Sequence, residues 1–158
     1  MPPGDVAAVE RLYREHGDLV LRRARRIMGS EAEAQEILQE LFMSFMQRPE
    51  QLAGKTSWTG WLYAATTHLC LNTLRNRRNR ARLLAEVPAR AEAAAAEVEA
   101  KLSAQELLAT LPDELAQVAV YYYFDEMTHE EIAEVVGCSR RHVGNLVAAA
   151  IERLQGRA

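Results

Sequence analysis

The sequence of 158 residues is poor in aromatic residues and cysteines, and it has no long apolar run. Aromatic residues make up 6% of the chain, and no segment alternates apolar and polar residues over the length of a strand. No stretch approaches the roughly 18 uninterrupted apolar residues of a membrane-spanning helix. The start of the chain lacks a cationic leader followed by an apolar run. The sequence therefore predicts an all-α protein that is cytoplasmic and makes no membrane insertion.

The scarcity of reactive groups also excludes most enzymes. The two cysteines, Cys70 and Cys138, lie far apart in apolar surroundings, which fits neither a disulfide framework nor a metal site. We interpret both as small core residues in a reducing compartment. The histidines are scattered, and His129 lacks the second histidine of a zinc-protease helix. With no glycine-rich phosphate loop either, we expect no catalytic residue, no metal and no cofactor.

The net charge of −3 conceals an uneven distribution. Residues 1–83 hold 13 Lys or Arg against 9 Asp or Glu, whereas residues 107–158 hold 4 against 8. The length allows one ordinary domain or two small ones. The basic surplus in the first half indicates local attraction to phosphate.

The segment Ser57–Arg82 carries most of that surplus. It begins with two tryptophans and ends with five arginines: Trp58, Trp61, Arg75, Arg77, Arg78, Arg80 and Arg82. Its apolar residues recur at helical spacing, namely Trp58, Trp61, Leu62, Ala65, Leu69 and one of Leu71 or Asn72. Rings that stack on bases and guanidiniums that hold phosphates suit a single nucleic-acid strand. The alternative interpretation is that the tryptophans anchor a core and the arginines form a solvated helix end.

Residues 5–82 read as one helical bundle. Asp5 is the predicted cap of a first helix with the apolar stripe Val6, Val9, Leu12 and Tyr13, and Gly17 is a candidate break or bend in it. Gly29 ends the run, and Ser30 and Glu33 have capping-box spacing for the next helix. That helix is predicted to pack through Ile37, Leu38, Leu41, Phe42, Phe45 and Met46. Its other side carries Glu36, Gln39, Glu40 and Met43.

The C-terminal part predicts a helix-turn-helix. Two capping boxes, Ser103–Glu106 and Thr128–Glu131, begin helices. Between them, a helix is predicted to bury Leu115, Val118, Ala119 and Tyr122. Ser139 is the predicted cap of the last helix. Ala133, Gly137 and Val143 have the spacing of a small residue at the helix crossing, a glycine with positive φ and an apolar plug.

Taken together, the chain resembles a small two-domain sigma factor of the bacterial extracytoplasmic-function (ECF) group, within the sigma-70 family. The segments AQEILQELF, GWLYAATTHLCLNTLRNRRNR and LPDELAQVAVYYYFDEMTHEEIAEVVGCSRRHVGNLV carry the resemblance. It implies a domain 2-like bundle in residues 1–83 and a domain 4-like helix-turn-helix domain in residues 103–158. Residues 84–102, rich in Ala and Glu without a periodic face, are the predicted interdomain linker.

The resemblance implies an alternative sigma factor that binds core RNA polymerase and directs promoter recognition and opening. Family members are often held inactive by an anti-sigma factor, so that partner is implied as well. The residues that match the polymerase-binding surface are Glu36, Gln39 and Glu40. Those that match the minus-10 element-binding segment are Trp58, Trp61, Asn72, Arg75, Arg77 and Arg78, preceded by a loop, Gln51–Thr56, in the place of the family's flipped-base loop. Those in the first turns of the minus-35 recognition helix are Arg140, Arg141, His142 and Asn145.

The chain also departs from the family pattern. His68 and Asn72 stand where an Asn and an Asp are common. On the recognition helix, usually basic or polar positions are occupied by Gly144, Leu146 and Ala149. Fewer phosphate contacts reduce the salt-dependent part of affinity. We therefore expect the second domain to bind its element weakly or to read it chiefly through Arg140, Arg141 and Asn145.

Two rival functions remain open from the sequence. One is a free-standing helix-turn-helix regulator that needs no polymerase. The other is a sigma-like interaction protein whose last helix exposes Gly144, Ala148 and Ala149 to a protein partner rather than to DNA.

Overall fold

The computed structural model describes residues 6–52, 54, 58–85 and 102–156, which form helices and their connecting turns. The helices of this part of the chain are α1 (Val6–Met28), α2 (Glu31–Gln47), α3 (Trp58–Ala85), α4 (Ala104–Thr110), α5 (Asp113–Ala119), α6 (His129–Val136) and α7 (Arg140–Gln155). A 3-10 turn (Pro49–Leu52) follows α2, and a π-helical turn (Val120–Phe124) follows α5. The all-α prediction is confirmed.

The chain divides into two compact units, Met1–Cys70 and Leu71–Ala158. The division lies within α3, so the arginine-rich end of this helix belongs by its contacts to the second unit. The predicted domain boundaries after residues 83 and 102 stay predictions. The predicted cap Asp5 and most of the predicted linker, residues 86–101, lie outside the described residues.

The first unit has a core of aliphatic and aromatic side chains from α1, α2 and the start of α3. Its buried members are Val9, Leu12, Val20, Leu38, Leu41, Phe42, Phe45, Leu52 and Leu62. Burial of one such side chain contributes about 1.5–3 kcal/mol, so this cluster is the main source of stability of the unit. The turn into α2 is fixed by Gly29, with φ of 72°, and by Ser30 Oγ, which accepts a hydrogen bond from Glu33 N at 3.3 Å.

α1 is continuous through Gly17, so the candidate break at this residue is wrong. A glycine in a helix interior costs about 1 kcal/mol relative to alanine, and the buried residues on either side, Leu12 and Val20, more than offset it. The predicted stripe of α1 is also only partly buried, because Val6 is 48% and Tyr13 51% exposed.

α2 buries five of its six predicted packing residues, and Met46 is the exception. Met46 is 44% exposed. It follows the buried Phe45, and consecutive residues of a helix point about 100° apart. Met43, predicted on the other side, is 60% exposed. The two methionines therefore border the core rather than fill it.

α3 buries a different stripe from the predicted one. The buried residues are Leu62, Thr66, Thr67, Cys70, Leu71 and Leu74, whereas Trp58, Trp61, Ala65 and Leu69 are half-buried beside them. The two threonines are buried because their hydroxyls donate to helix carbonyls, Thr66 to Leu62 O at 2.7 Å and Thr67 to Tyr63 O at 2.8 Å. Asn72 is exposed and is not part of the apolar face.

A buried arginine joins α1 to α3. Arg23 is 5% exposed, and its Nε donates to Thr67 Oγ1 at 2.8 Å. Its guanidinium carbon lies 3.4 Å from the centroid of the Tyr63 ring, a cation–π contact. A buried charge is tolerated only where such partners replace water. The cluster therefore determines which face of α3 packs against α1.

The cysteines differ in burial. Cys70 is fully buried, and desolvation raises the pKa of its thiol to about 12, opposed in part by the Arg23 charge. A thiol that remains protonated is a poor nucleophile, which agrees with the core role predicted for it. Cys138 is only half-buried, so the same prediction is wrong for this residue. Cys138 follows Gly137 in the turn between α6 and α7, where packing is incomplete.

In the second unit, both predicted capping boxes are present. Ser103 and Glu106 cap α4, and Thr128 and Glu131 cap α6, each pair with reciprocal hydrogen bonds. The pKa of Glu131 is lowered first by the hydrogen bond from the Thr128 backbone N–H and then by the hydrogen bond with the Thr128 side chain. The stability that this carboxylate contributes is present above its unfolded pKa and is lost as the pH falls through the folded value.

The three tyrosines after α5 lie in the π-helical turn. The sequence predicts Tyr122 in the core, but Tyr121 is buried at 1% exposure and Tyr122 is half-buried. In this turn Asp125 N bonds to Val120 O, five residues back. The buried run therefore continues without a break from Val118 to Tyr121.

α6 and α7 form the predicted helix-turn-helix. Gly137 ends α6 in the left-handed conformation with φ of 81°, and Ser139 Oγ accepts a hydrogen bond from His142 N at 3.0 Å to begin α7. Ile132 and Val143 are fully buried where the helices meet. The backbone of this turn thus sets the direction of α7.

Replacing either of two glycines of this motif by alanine is expected to change the stability of the protein, in opposite directions. Gly137→Ala forces a side chain into left-handed backbone and is expected to cost about 1–2 kcal/mol, although nothing lies within 4 Å of the added Cβ. Gly144→Ala in the interior of α7 is expected to stabilise by up to about 1 kcal/mol, because its Cβ meets His129 Nδ1 at an ordinary 3.6 Å. Thermal unfolding followed by circular dichroism measures both. A midpoint that moves in the same direction in both variants contradicts this prediction.

Candidate DNA and polymerase interfaces

The outer side of α2 is a polar, acidic surface. Glu36, Gln39 and Glu40 are all exposed, as predicted. The helix carries four glutamates and neither lysine nor arginine. Glu31, in its first turn, bonds to Arg25, and that hydrogen bond, followed by one from Gln35, lowers the pKa of the Glu31 carboxyl. The carboxylates of this face are therefore suited to a basic partner surface.

An open groove of about 920 Å³ borders this face. α1 and α2 line it with Val9, Glu10, Tyr13, Arg14, Gln39, Phe42, Met43 and Met46. Gln39 belongs both to the acidic face and to the groove, so the polar surface continues into an apolar one. The sequence missed the groove because it placed Tyr13 and Met46 in the core.

The two tryptophans end a row of aromatic rings that crosses the first unit. Successive ring centroids lie 5.1 Å apart for Tyr13 and Phe42, 5.3 Å for Phe42 and Phe45, and 5.2 Å for Phe45 and Trp61. Trp58 packs edge-on against Trp61 at 5.9 Å. Both indoles are half-buried. They are therefore anchored by the core and still keep surface for a ligand.

The arginines follow on the last turns of α3. Arg77, Arg80 and Arg82 are exposed, and Arg78 is half-buried. Arg75 has defined partners: its Nη1 donates to Asn72 Oδ1 at 3.0 Å, and its Nη2 to Asp113 Oδ1 at 2.9 Å. No sequence pattern indicates the contact with Asp113, which lies 38 residues further along the chain.

The predicted flipped-base loop is only partly described. Gln51 uses its side-chain amide to donate to Ser44 O and Arg48 O, and Gly54 has φ of 77°. Ala53 and residues 55–57 lie outside the described residues. The role of this loop stays a prediction.

On α7, all four residues predicted to face the minus-35 element are exposed: Arg140, Arg141, His142 and Asn145. His142 Nε2 lies 3.4 Å from Glu114 Oε1 of α5. Leu146 is buried at 8% exposure. Its inclusion among the missing phosphate-binding positions is therefore wrong, since a side chain at this position packs in the core.

Among the described residues, no helix is long and apolar enough to cross a membrane, and no group of His, Cys, Asp or Glu is arranged to hold a metal ion.

Comparisons with known proteins place this geometry in a family. The family model Sigma-70 region 2 matches residues 12–80, and Sigma-70, region 4 matches residues 107–156. The ECF RNA polymerase sigma factor SigE of Mycolicibacterium smegmatis is 31% identical, over 85% of this chain and 56% of that protein. A probable RNA polymerase sigma factor of Xanthomonas campestris, RfaY, is 29% identical over 68% of this chain and 30% of that protein.

Among solved structures, the chain matches the sigma factor RpoE in complex with the anti-sigma factor NepR from Bartonella quintana. It has a TM-score of 0.48 and 15% identity over 94% of both chains.

The fold defines an all-α class of protein with two helical units, the second ending in a helix-turn-helix. The chain belongs to the sigma-70 family, in its ECF group of sigma factors. It spans about half the length of the mycobacterial relative and less of the Xanthomonas protein.

Proposed function

We propose that the protein is an alternative sigma factor that binds core RNA polymerase in the cytoplasm and directs it to promoters. The observation that carries the proposal is the arrangement of the region 2 match. An exposed carboxylate-and-amide face on α2 lies in the same match as an α3 that presents half-buried tryptophans and a run of arginines. The proposed function is not enzymatic.

Polymerase binding is assigned to Glu36, Gln39 and Glu40. Their side chains are exposed on a helix whose opposite side is held in the core by Ile37 and Leu41. Carboxylates on a rigid helix attract a basic surface and fix its register without the entropic cost of ordering a loop.

Promoter opening is assigned to α3. A flipped or unpaired base gains roughly 1–3 kcal/mol by stacking on an aromatic ring, and the exposed parts of Trp58 and Trp61 offer such rings. Arg75, Arg77 and Arg78 lie 14 to 20 residues beyond the tryptophans on the same helix, about 21–30 Å at 1.5 Å per residue, where they can hold phosphates of the same strand. Because duplex DNA offers no unstacked base, these contacts favour the melted state.

Minus-35 recognition is assigned to the first turns of α7. Arg140, Arg141, His142 and Asn145 are side chains able to hydrogen-bond base edges or phosphates in the major groove. Of the three small residues that a protein partner would contact, Gly144 and Ala149 are half-buried and only Ala148 is exposed, so this neutral surface of α7 is smaller than the sequence indicates. This favours the DNA-binding role of α7 over a protein-docking one.

Transcription by core polymerase, with and without the protein, on a library of genomic fragments tests the proposal. We expect start sites that depend on the protein and share upstream sequence elements. DNA binding without polymerase-dependent transcripts would instead support a free-standing helix-turn-helix regulator. An anti-sigma partner stays a prediction, and co-purification from cells tests it.

Reversing charge on α2 is expected to weaken polymerase binding. The double variant E36K/E40K places like charges against a basic surface, and we expect at least tenfold weaker binding, or about 1.4 kcal/mol. The matched control is E15K, which reverses an exposed charge of α1 outside the groove. Affinity for core polymerase can be measured by fluorescence anisotropy of labelled protein. Equal losses in both variants would contradict the assignment.

Trp58 and the arginines are expected to differ in salt dependence. Trp58→Ala should weaken binding of a labelled oligothymidylate strand to the polymerase–protein complex by about 1–3 kcal/mol at every salt concentration, because it removes a stacking partner. Replacing Arg77 and Arg78 by Gln should flatten the plot of log affinity against log salt by about 0.7 per lost phosphate contact.

Trp58→Phe serves as the control for packing, since it retains a ring against Trp61. If W58A and W58F lose the same affinity, or if W58A changes the salt slope, the stacking role is refuted.

A further inference from the structure

Two consecutive carboxylates at the start of α5 each contact a residue assigned to DNA binding. Asp113 Oδ1 accepts a hydrogen bond from Arg75 Nη2 at 2.9 Å, and Glu114 Oε1 lies 3.4 Å from His142 Nε2. All four residues belong to the second compact unit. Arg75 is assigned to the minus-10 strand and His142 to the minus-35 duplex.

The contact of Arg75 is well defined on both sides. Asn72 Oδ1 accepts from the second terminal nitrogen of the guanidinium at 3.0 Å, and Gln117 Nε2 donates to the second oxygen of Asp113 at 3.3 Å. The side chains of Arg75 and Asp113 are 32% and 48% exposed. Water therefore reaches the pair, and it can open at little cost.

Acidic residues in the first turn of a helix are common because they complement the helix dipole. That effect explains why α5 begins with Asp113 and Glu114. It does not explain why the Arg75 guanidinium, in a run of five arginines, is held by one of these carboxylates. The contact between Arg75 and Asp113 therefore has a cause other than the helix dipole.

A guanidinium N–H that donates to a carboxylate is not available to a phosphate, and both acceptors bind it in the same way. We propose that Asp113 competes with DNA for Arg75, so that the chain weakens its own binding of the minus-10 strand until this pair opens. Glu114 acts in the same sense on His142, but less strongly, because the distance is longer and histidine is charged only when protonated. The inference rests on the proposed role of Arg75 in DNA binding.

The test uses the full chain and a fluorescein-labelled oligothymidylate strand, with affinity measured by anisotropy. Asp113→Asn keeps an acceptor oxygen and removes the charge. An exposed ion pair changes an equilibrium constant by up to about fivefold, so we expect D113N to bind about two- to fivefold tighter. Asp113→Ala, which removes charge and acceptor together, should bind at least as tightly as D113N. The control Glu152→Gln removes the same charge from an exposed position near the end of α7 and should leave the affinity within experimental error.

A double-variant cycle shows whether the effect passes through Arg75. R75Q alone should weaken binding, and D113N added to R75Q should change nothing further. If D113N tightens binding equally in the R75Q background, or if E152Q does the same, the gain is a general charge effect and the inference is wrong. If D113N and D113A, shown to be folded by circular dichroism, bind no more tightly while R75Q still weakens binding, the inference fails and the proposed function stands. If R75Q has no effect, the proposed DNA contact of Arg75 fails, and the inference fails with it.

Discussion

α3 can bury only one of its faces, and most of the proposed function depends on which face it is. Leu62, Thr66 and Cys70 are turned into the structure, and Arg23 of α1 locks this rotation by bonding Thr67 and covering the ring of Tyr63. Once that stripe is fixed, the tryptophans are left at the edge of the core and most of the arginines at the surface. A rotation of α3 about its own axis by one residue, about 100°, would bury a different stripe and change which side chains reach the surface.

The threonines make this stripe possible. A helix ordinarily buries large apolar residues, as α3 does with Leu62, Leu71 and Leu74. Thr66 and Thr67 instead satisfy their hydroxyls within the helix, so they can be buried at little cost. Thr67 Oγ1 also accepts a hydrogen bond from the buried Arg23. The buried stripe therefore contains two polar side chains among apolar ones without leaving a buried hydroxyl unpaired.

Charge is separated along the chain in a way that matches the proposed division of roles. α2 presents carboxylates, α3 ends in guanidiniums, and α5 begins with carboxylates that contact Arg75 and His142. Surface ion pairs contribute little stability. Their position next to proposed binding residues therefore matters more for which partner is bound, and when, than for folding.

Local signals in the sequence were sufficient for the helix ends of the second unit that carry caps. Ser103, Thr128 and Ser139 cap helices as predicted, and Gly137 has the positive φ that the helix-turn-helix requires, because each of these depends on a few neighbouring residues. The exposed residues of the candidate interfaces were also predictable, since charged side chains remain in water.

The features that differ from the sequence predictions, or that the sequence did not predict, depend on contacts distant in sequence or on irregular backbone. The continuity of α1 through Gly17 comes from packing against α2. The burial of Tyr121 rather than Tyr122 falls in a π-helical turn, where α-helical periodicity does not apply. The burial of Arg23 needs Tyr63 and Thr67, some 40 residues away, and periodicity gives no sign of such a partner.

The most direct test of the central claim is transcription from one protein-dependent promoter in two forms, fully duplex and with the minus-10 region melted by mismatches. If exposed rings and guanidiniums on α3 capture the opened strand, the variant W58A/R77Q/R78Q should transcribe poorly from the duplex and recover most of its activity on the melted template. An equal defect on both templates, with polymerase binding intact, would contradict the account, because α3 would then contribute nothing to opening.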